Sequence, residues 1–108
     1  MIDEESFMDL MGDLKMTDVN PKLKATNLKN ARLSGMDLSA LDMSGVDLSG
    51  ADLSLADLTG ANLSNALLIN VDLSLADLTD AYLCNADLSG ADLSGANLTE
   101  ADLSGANL

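Results

Sequence analysis

A leucine recurs at every fifth position through three quarters of this chain, and this spacing constrains the fold more than any other feature. Counting back from Leu108 in steps of five reaches Leu28 without an insertion, and only Met43 replaces leucine on the way. A small or apolar residue, usually alanine, stands two positions before almost every one of them. A period of five matches neither the 3.6-residue period of an α-helix nor the alternation of a long strand.

Each five-residue repeat, called a word below, has the pattern of a short extended side followed by a corner. In an extended segment the Ala and the Leu point the same way, whereas the Asp or Asn between them and the following Ser or Thr point outward. The fifth residue is often Gly or Asn, which tolerate positive φ in tight turns. A chain that turns the same way at every corner, with Ala and Leu inside, winds into a solenoid.

A longer period of twenty residues predicts the number of sides. The segment Asp52–Thr59 reads DLSLADLT, and Asp72–Thr79 repeats it letter for letter. Threonine follows the central leucine only at positions 59, 79 and 99. We therefore expect four words per coil, neighbouring coils hydrogen-bonded as parallel strands, and buried central leucines. One internal column should then contain residues 28, 48, 68, 88 and 108.

From residue 26 onward the words match A(D/N)LXX, and in this the chain resembles the pentapeptide repeat proteins. The resemblance implies an all-β solenoid, a right-handed quadrilateral parallel β-helix with the central Leu and the preceding small residue inside. Some members of that family are DNA mimics that bind type II topoisomerases such as DNA gyrase and modulate quinolone sensitivity.

Residues 1–20 do not follow the repeat, and we predict a helical cap and turn there, ahead of a β-helix over residues 21–108. Asp3 is the expected N-cap and Gly12 the expected helix end. Asn20-Pro21 predicts a turn. Four apolar residues have the spacing of one helix face: Phe7, Leu10, Met11 and Leu14.

This short α-helix has two interpretations, a cap on the open end of the solenoid or a helix that binds a partner. Inward positions that hold alanine elsewhere hold Met36, Leu41 and Val46 in the first coil, and the central residue there is Met43. Larger residues gathered at that end favour the cap, because they indicate a core shaped to meet a lid.

Charge is divided unequally along the chain, which has 18 acidic and 5 basic residues and a net charge of −13. All five bases lie within residues 15–32, and residues 33–108 contain twelve acids and no base. Direct nucleic-acid binding needs a basic face and is therefore not expected. The twenty-residue period predicts two acidic columns on adjacent sides, either a selected charge pattern or a solvating surface: Asp37, Asp57 and Asp77, and Asp52, Asp72 and Asp92, the latter exposed in a line.

Two words lose their outward polar residues. One carries Leu67 and Ile69, and the other carries Tyr82 and Cys84. We take Leu67, Ile69 and Tyr82 as a candidate apolar interaction group, since contiguous exposed apolar residues can mark an interface. Leu55 and Leu75 occupy equivalent corners one coil apart.

The last coil carries no capping segment after it, although an open coil exposes strand edges and stacked leucines. We expect this end to form a two-fold homodimer, which closes on itself. The alternatives are a longer natural protein and an engineered consensus solenoid. The candidate dimer end comprises Leu93, Leu98, Leu103 and Leu108.

The chain has no His and a single Cys, so neither an activated nucleophile nor a zinc site is expected. We predict no enzyme activity, no cofactor and no metal site. The acidic start is unlike a signal peptide, the longest uncharged stretch (58–71) is too short and polar to span a bilayer, and one cysteine suits a reducing compartment. The expected location is the cytoplasm, away from membranes.

These features predict a non-catalytic protein-interaction or scaffold module with an unidentified protein partner. The family resemblance provides one alternative, a DNA mimic that binds DNA gyrase. A structural or designed solenoid without a specific partner is the other alternative.

Overall fold

Parallel bridges between residues twenty apart hold the coils together in the computed structural model, which describes residues 1–108. Twelve such pairs run from Arg32–Asp52 to Asp87–Asn107. Each side pairs with the same side of a neighbouring coil through one isolated bridge, so the sides are shorter than ordinary strands. Twenty residues therefore complete one coil with four sides, and the fold is a right-handed quadrilateral β-helix, as predicted.

The four sides are named here by their central residues. Face 1 contains residues 28, 48, 68, 88 and 108, and face 2 contains residues 33, 53, 73 and 93. Face 3 contains residues 38, 58, 78 and 98, and face 4 contains residues 43, 63, 83 and 103. The corner between faces 2 and 3 is the 2/3 edge, with residues 35, 55, 75 and 95. The corner between faces 4 and 1 is the 4/1 edge, with residues 45, 65, 85 and 105.

Every corner residue from Asn30 to Gly105 has a positive φ, between +57° and +74°. The residue after each corner donates its backbone N–H to the preceding central leucine, as Ala56 does to Leu53 at 3.1 Å. Glycine and asparagine adopt this conformation readily. Leu55 and Leu75 also adopt it, at φ of +61° and +59°, so the repeat imposes the corner on residues that rarely favour it.

The core is a stack of central leucines and their neighbouring small residues, and all 27 buried residues are apolar. Central residues from Leu28 to Leu88 are at most 3% exposed, Leu83 included, which confirms their predicted burial. Burying each leucine side chain stabilises the fold by about 1.5–3 kcal/mol. The last coil differs, because none of residues 1–108 packs on its outer side: Leu93, Leu98 and Leu103 are only half-buried.

Two short helices close the N-terminal end, and neither is long and apolar enough to cross a membrane. Helix α1 spans Glu4–Met11, with Asp3 as its N-cap accepting the Ser6 N–H at 2.9 Å, as the sequence predicted. Phe7 of α1 is 2% exposed and belongs to the core. The Ile2 carbonyl accepts the Arg32 N–H at 2.7 Å, so the N-terminal segment pairs with the first coil as a preceding coil would.

The turn predicted at Asn20-Pro21 is wrong, because both residues lie inside a second helix, α2, spanning Met16–Lys24. Val19 and Leu23, one helical turn apart, are buried in the core and favour the helix. The Asn20 amide donates to the carbonyls of Ser44 and Asp42, at 2.9 and 3.3 Å, on the open edge of face 4. The division into residues 1–20 and 21–108 stays a prediction, although α2 spans that boundary.

Candidate protein-interaction surfaces

The outward Asp or Asn of a word hydrogen-bonds to the Ser or Thr two residues later, and this contact covers most of the surface. In face 2, the Leu53 N–H donates to Asp72 of the next coil, and the Leu55 N–H donates to Ser74. The Ser54 N–H has no backbone acceptor; instead it donates to Oδ1 of Asp52 at 3.0 Å. The same bond, at 2.9–3.1 Å, occurs in twelve words, and in ten of them the hydroxyl of the Ser or Thr donates to the same oxygen.

These bonds stabilise the charged form of the carboxylates. Hydrogen bonds from the side chain and backbone of Ser39 lower the pKa of Asp37, and those from Thr79 lower the pKa of Asp77. The pKa values of Asp87, Asp92 and Asp102 are lowered mainly by the matching serines. We did not predict this role for aspartate from the sequence, although the Asp-x-Ser spacing is a recognised signal for such a bond.

Both predicted acidic columns are present as geometric features. On face 3, Asp37, Asp57 and Asp77 are bridged in register and exposed. On face 2, Asp52, Asp72 and Asp92 are also in register, with Arg32 preceding them. Full exposure of this second column was expected but holds only for Asp92, because Asp52 and Asp72 are half-buried.

The candidate apolar group interrupts the hydrogen-bonded surface. Leu67, 41% exposed, lies on face 1 between Asp47 and Asp87, and Tyr82, 53% exposed, lies on face 4 between Asn62 and Asp102. Ile69 and Cys84 are half-buried. Their N–H groups lack the carboxylate or amide acceptor found in other words. Because Leu67 lies on face 1 and Tyr82 on face 4, the two words lie on adjacent faces that meet at the 4/1 edge, and they do not share one flat side.

Cys84 is poorly suited to nucleophilic chemistry. The nearby Asp102 carboxylate, together with partial burial, raises the pKa of its thiol. The reactive thiolate is therefore scarcer than for an ordinary cysteine at neutral pH. No group of three His, Cys, Asp or Glu residues is arranged to hold a metal ion.

A wide polar cleft of about 610 Å³ lies between the start of α1 and the first coil. Its lining includes Asp3, Glu4 and Glu5 from the N-terminal segment, with Arg32 and Asp52 from face 2. No hydrophobic residue lines it. Small-molecule sites usually combine an apolar lining with a few polar groups, which this cleft does not provide.

The last coil exposes the residues of the candidate dimer end. Leu108 is 72% exposed, and Leu93, Leu98 and Leu103 are half-buried with the neighbouring alanines. In the preceding coil, the N–H groups of Leu73, Leu78 and Leu83 donate to the coil that follows. The corresponding groups of the last coil have no backbone acceptor, so this end presents unpaired strand edges beside apolar side chains.

Comparison with known proteins places this geometry in a family. The Pentapeptide repeats family model matches residues 22–54, 56–81 and 76–108 in eight copies. A search of curated proteins finds no match.

Several solved structures are similar. A pentapeptide repeat protein of the Arabidopsis thaliana thylakoid lumen is 33% identical, with a TM-score of 0.71, over 88% of this chain and 59% of that one. One from Nostoc PCC 7120 is 46% identical, with a TM-score of 0.69, over 72% and 64% of the two chains. Rfr23 of the cyanobacterium Cyanothece 51142 is 39% identical, with a TM-score of 0.52, over 73% and 57%.

The chain thus spans less than two thirds of the length of each of these three proteins. The matched words are the same ones that form the four-sided coils. Both the tandem words and the coils that they build show that this chain belongs to the pentapeptide repeat family.

Proposed function

We propose that this protein is a non-catalytic interaction module, a rigid acidic rod whose surface binds another protein. Pentapeptide repeat proteins are generally non-catalytic. A core filled with leucine and alanine leaves the outer surface for recognition. We place the interaction in the cytoplasm, where Cys84 would stay reduced.

One observation carries this proposal: the apolar group of Leu67, Ile69 and Tyr82 replaces polar residues that hydrogen-bond within their own words elsewhere. The replacement loses a local bond and exposes apolar surface, and neither change stabilises the isolated rod. A gain on binding would offset this cost, because a partner would cover Leu67 and Tyr82.

Restoring the polar residues at these positions tests this proposal. Leu67→Asp with Ile69→Ser, and Tyr82→Asn with Cys84→Ser, recreate the bonded pair, so both double variants should be at least as stable as the wild type. Immobilised wild-type protein should capture a partner from a bacterial lysate, and it should still do so at about 0.5 M salt, where charge attraction is screened. Both double variants should fail to capture that partner. Asp87→Asn, beside Leu67, is the matched control. Equal capture by the wild type and both double variants would contradict the proposal.

A second candidate function, a DNA mimic that binds DNA gyrase, is favoured by the axial charge density. Residues 33–108 carry twelve carboxylates and no base over nearly four coils. At about 4.8 Å per coil this is roughly one charge per 1.5 Å of axis. Double-stranded DNA carries about one charge per 1.7 Å. A basic DNA-binding channel would therefore meet a similar charge density on this rod.

A gyrase supercoiling assay tests this candidate. Micromolar protein should inhibit the enzyme or protect it from a quinolone, and added salt should weaken the effect. The triple variant Asp37→Asn, Asp57→Asn, Asp77→Asn removes three charges while keeping each Oδ1 acceptor, as Asn62 does for Ser64. Unchanged potency in this variant would show that the face 3 column does not act through its charge.

The proposal includes a two-fold homodimer through the last coil. A two-fold axis perpendicular to the rod would pair each of its four sides with an antiparallel side of the second copy, covering Leu93, Leu98, Leu103 and Leu108. Light scattering should then give about 22 kDa, twice the 11.2 kDa of one chain. Leu103→Lys with Leu108→Lys should return the protein to a monomer with an unchanged β signal in circular dichroism. A wild-type mass near 11 kDa at high concentration would rule the dimer out.

A further inference from the structure

The 2/3 edge carries two large exposed apolar side chains, Leu55 and Leu75, which we call the leucine ridge. They are 60% and 63% exposed. Glycines occupy the same edge one coil before and one coil after, at positions 35 and 95. The Leu75 side chain extends towards the next coil, since a Cβ added to Gly95 would lie 2.7 Å from its Cδ2.

Acidic residues flank the leucine ridge on both sides. Asp52 and Asp72 of face 2 come three residues before the two leucines, and Asp57 and Asp77 of face 3 come two residues after them. The repeated DLSLADLT segment builds this arrangement twice, and the bridges align the two copies. Arg32 lies at the N-terminal end of the face 2 column, and no other base lies on either face.

The flanking charge limits what can cover the ridge. A second copy packed ridge to ridge would bring the carboxylates of both molecules together, which disfavours that pairing. Anionic lipid and nucleic acid would be repelled for the same reason. An apolar surface with basic flanks has the complementary charge.

We propose that the leucine ridge binds a basic amphipathic helix of a partner protein. The two leucines are one coil, about 4.8 Å, apart along the rod. One turn of an α-helix rises about 5.4 Å, so a helix lying along the edge presents one apolar side chain to each leucine. Lys and Arg beside that apolar stripe face Asp52 and Asp72 on one flank and Asp57 and Asp77 on the other. This inference rests on the proposed interaction function and names a surface and partner class for it.

The experiment uses two synthetic peptides and the full chain. One peptide places leucines at helical spacing with lysines on both flanks, and the other has the same composition in scrambled order. Calorimetry should show at least about tenfold tighter binding of the striped peptide, the difference expected when an apolar anchor is added to an interface. Circular dichroism should show that the striped peptide becomes helical on binding.

Leu55→Gly with Leu75→Gly removes the ridge but keeps all four flanking carboxylates, and glycine is already found on this edge. This variant should bind both peptides as weakly as the wild type binds the scrambled one. Met16→Ala, at a 73% exposed apolar residue of α2, is the matched control and should retain the preference for the striped peptide. Equal binding of both peptides by the wild type, or an unchanged preference in the glycine variant, would overturn the ridge proposal. Either result would leave lysate capture through Leu67 and Tyr82 as a separate test of the interaction function.

Discussion

At the scale of the residue, the outward aspartate serves the fold as well as solubility. It supplies an acceptor to the backbone N–H of the following Ser or Thr, which has no backbone acceptor, as Asp72 does for Ser74 at 2.9 Å. Asn62 and Asn97 make the same bond without a charge. The contact therefore depends on the acceptor oxygen and not on the negative charge.

This dependence predicts different outcomes for two substitutions of half-buried Asp72. Asp72→Asn keeps the acceptor and should leave the free energy of unfolding nearly unchanged. Asp72→Ala leaves the Ser74 N–H without its partner and should cost about 1 kcal/mol, the usual net loss for one hydrogen bond. Urea unfolding followed by circular dichroism measures both. Equal losses in the two variants would mean that the charge itself stabilises the coil.

The lowered pKa values predict loss of stability in acid. Asp37, Asp77, Asp87, Asp92 and Asp102 hold their protons less tightly in the fold than in the unfolded chain. Their contribution is present above the unfolded pKa, near 3.8, and is lost as pH falls through the lower folded values. The Tm should therefore hold between pH 7 and about 5 and fall below about pH 4. A Tm that rises on acidification would show that relief of charge repulsion is the larger effect.

At the scale of the element, the side chain at some corners limits which residue fits one coil later. A Cβ added to Gly90, whose φ is +71°, would collide with Oδ1 of Asn70. One added to Gly60, whose φ is +66°, would meet nothing within 4 Å. The same collision would occur at Gly50 with Asn30 and at Gly105 with Asn85, so glycine follows asparagine at three corners.

Two alanine variants separate the conformational cost from the collision. Gly60→Ala should lose about 1–2 kcal/mol because alanine disfavours positive φ. Gly90→Ala should lose more, since Asn70 must also move, and Asn70→Gly in the same chain should recover the difference. Thermal unfolding of the four-member cycle measures this coupling. Additive effects of Asn70→Gly and Gly90→Ala would show that the side chain moves away freely.

The capping helix α1 contributes one fully buried aromatic ring, that of Phe7. Phe7→Ala should cost about 3–5 kcal/mol, the range for removing a buried phenylalanine. Met8→Ala, at the neighbouring 59% exposed position, is the matched control and should change stability by about 0.5 kcal/mol or less. Equilibrium unfolding compares the two. A similar, small effect for both would indicate that α1 is bound loosely and available to a partner.

At the scale of the whole molecule, the repeat predicted the four sides and the core because both depend on local spacing. Leu83 faces inward since every fifth residue does. Helix α2 was missed because its stability comes from tertiary contacts, namely burial of Val19 and Leu23 and the bonds of the Asn20 amide to face 4. A local Asn-Pro signal therefore predicted the wrong structure.

The sequence predicted which residues of the candidate surfaces line up, but not how exposed each of them is. Position in the period placed Asp52 and Asp72 in line, yet it did not predict that they are half-buried while Asp92 of the same column is exposed. The twenty-residue period does place Leu67 and Tyr82 on adjacent faces, but whether their side chains touch depends on the corner between them. Such details arise from three-dimensional geometry that a linear period does not contain.

Helices α1 and α2 seal one end of the coils, and within residues 1–108 this seal gives the dynamics a direction. Each coil contacts only its two neighbours, so opening should begin at residues 89–108 and proceed one coil at a time towards the helices. Amide hydrogen exchange should then slow stepwise from Leu108 back to the coil sealed by Phe7 and Leu23. During synthesis the sealed end emerges first, so each new set of twenty residues can add to a surface that is already folded.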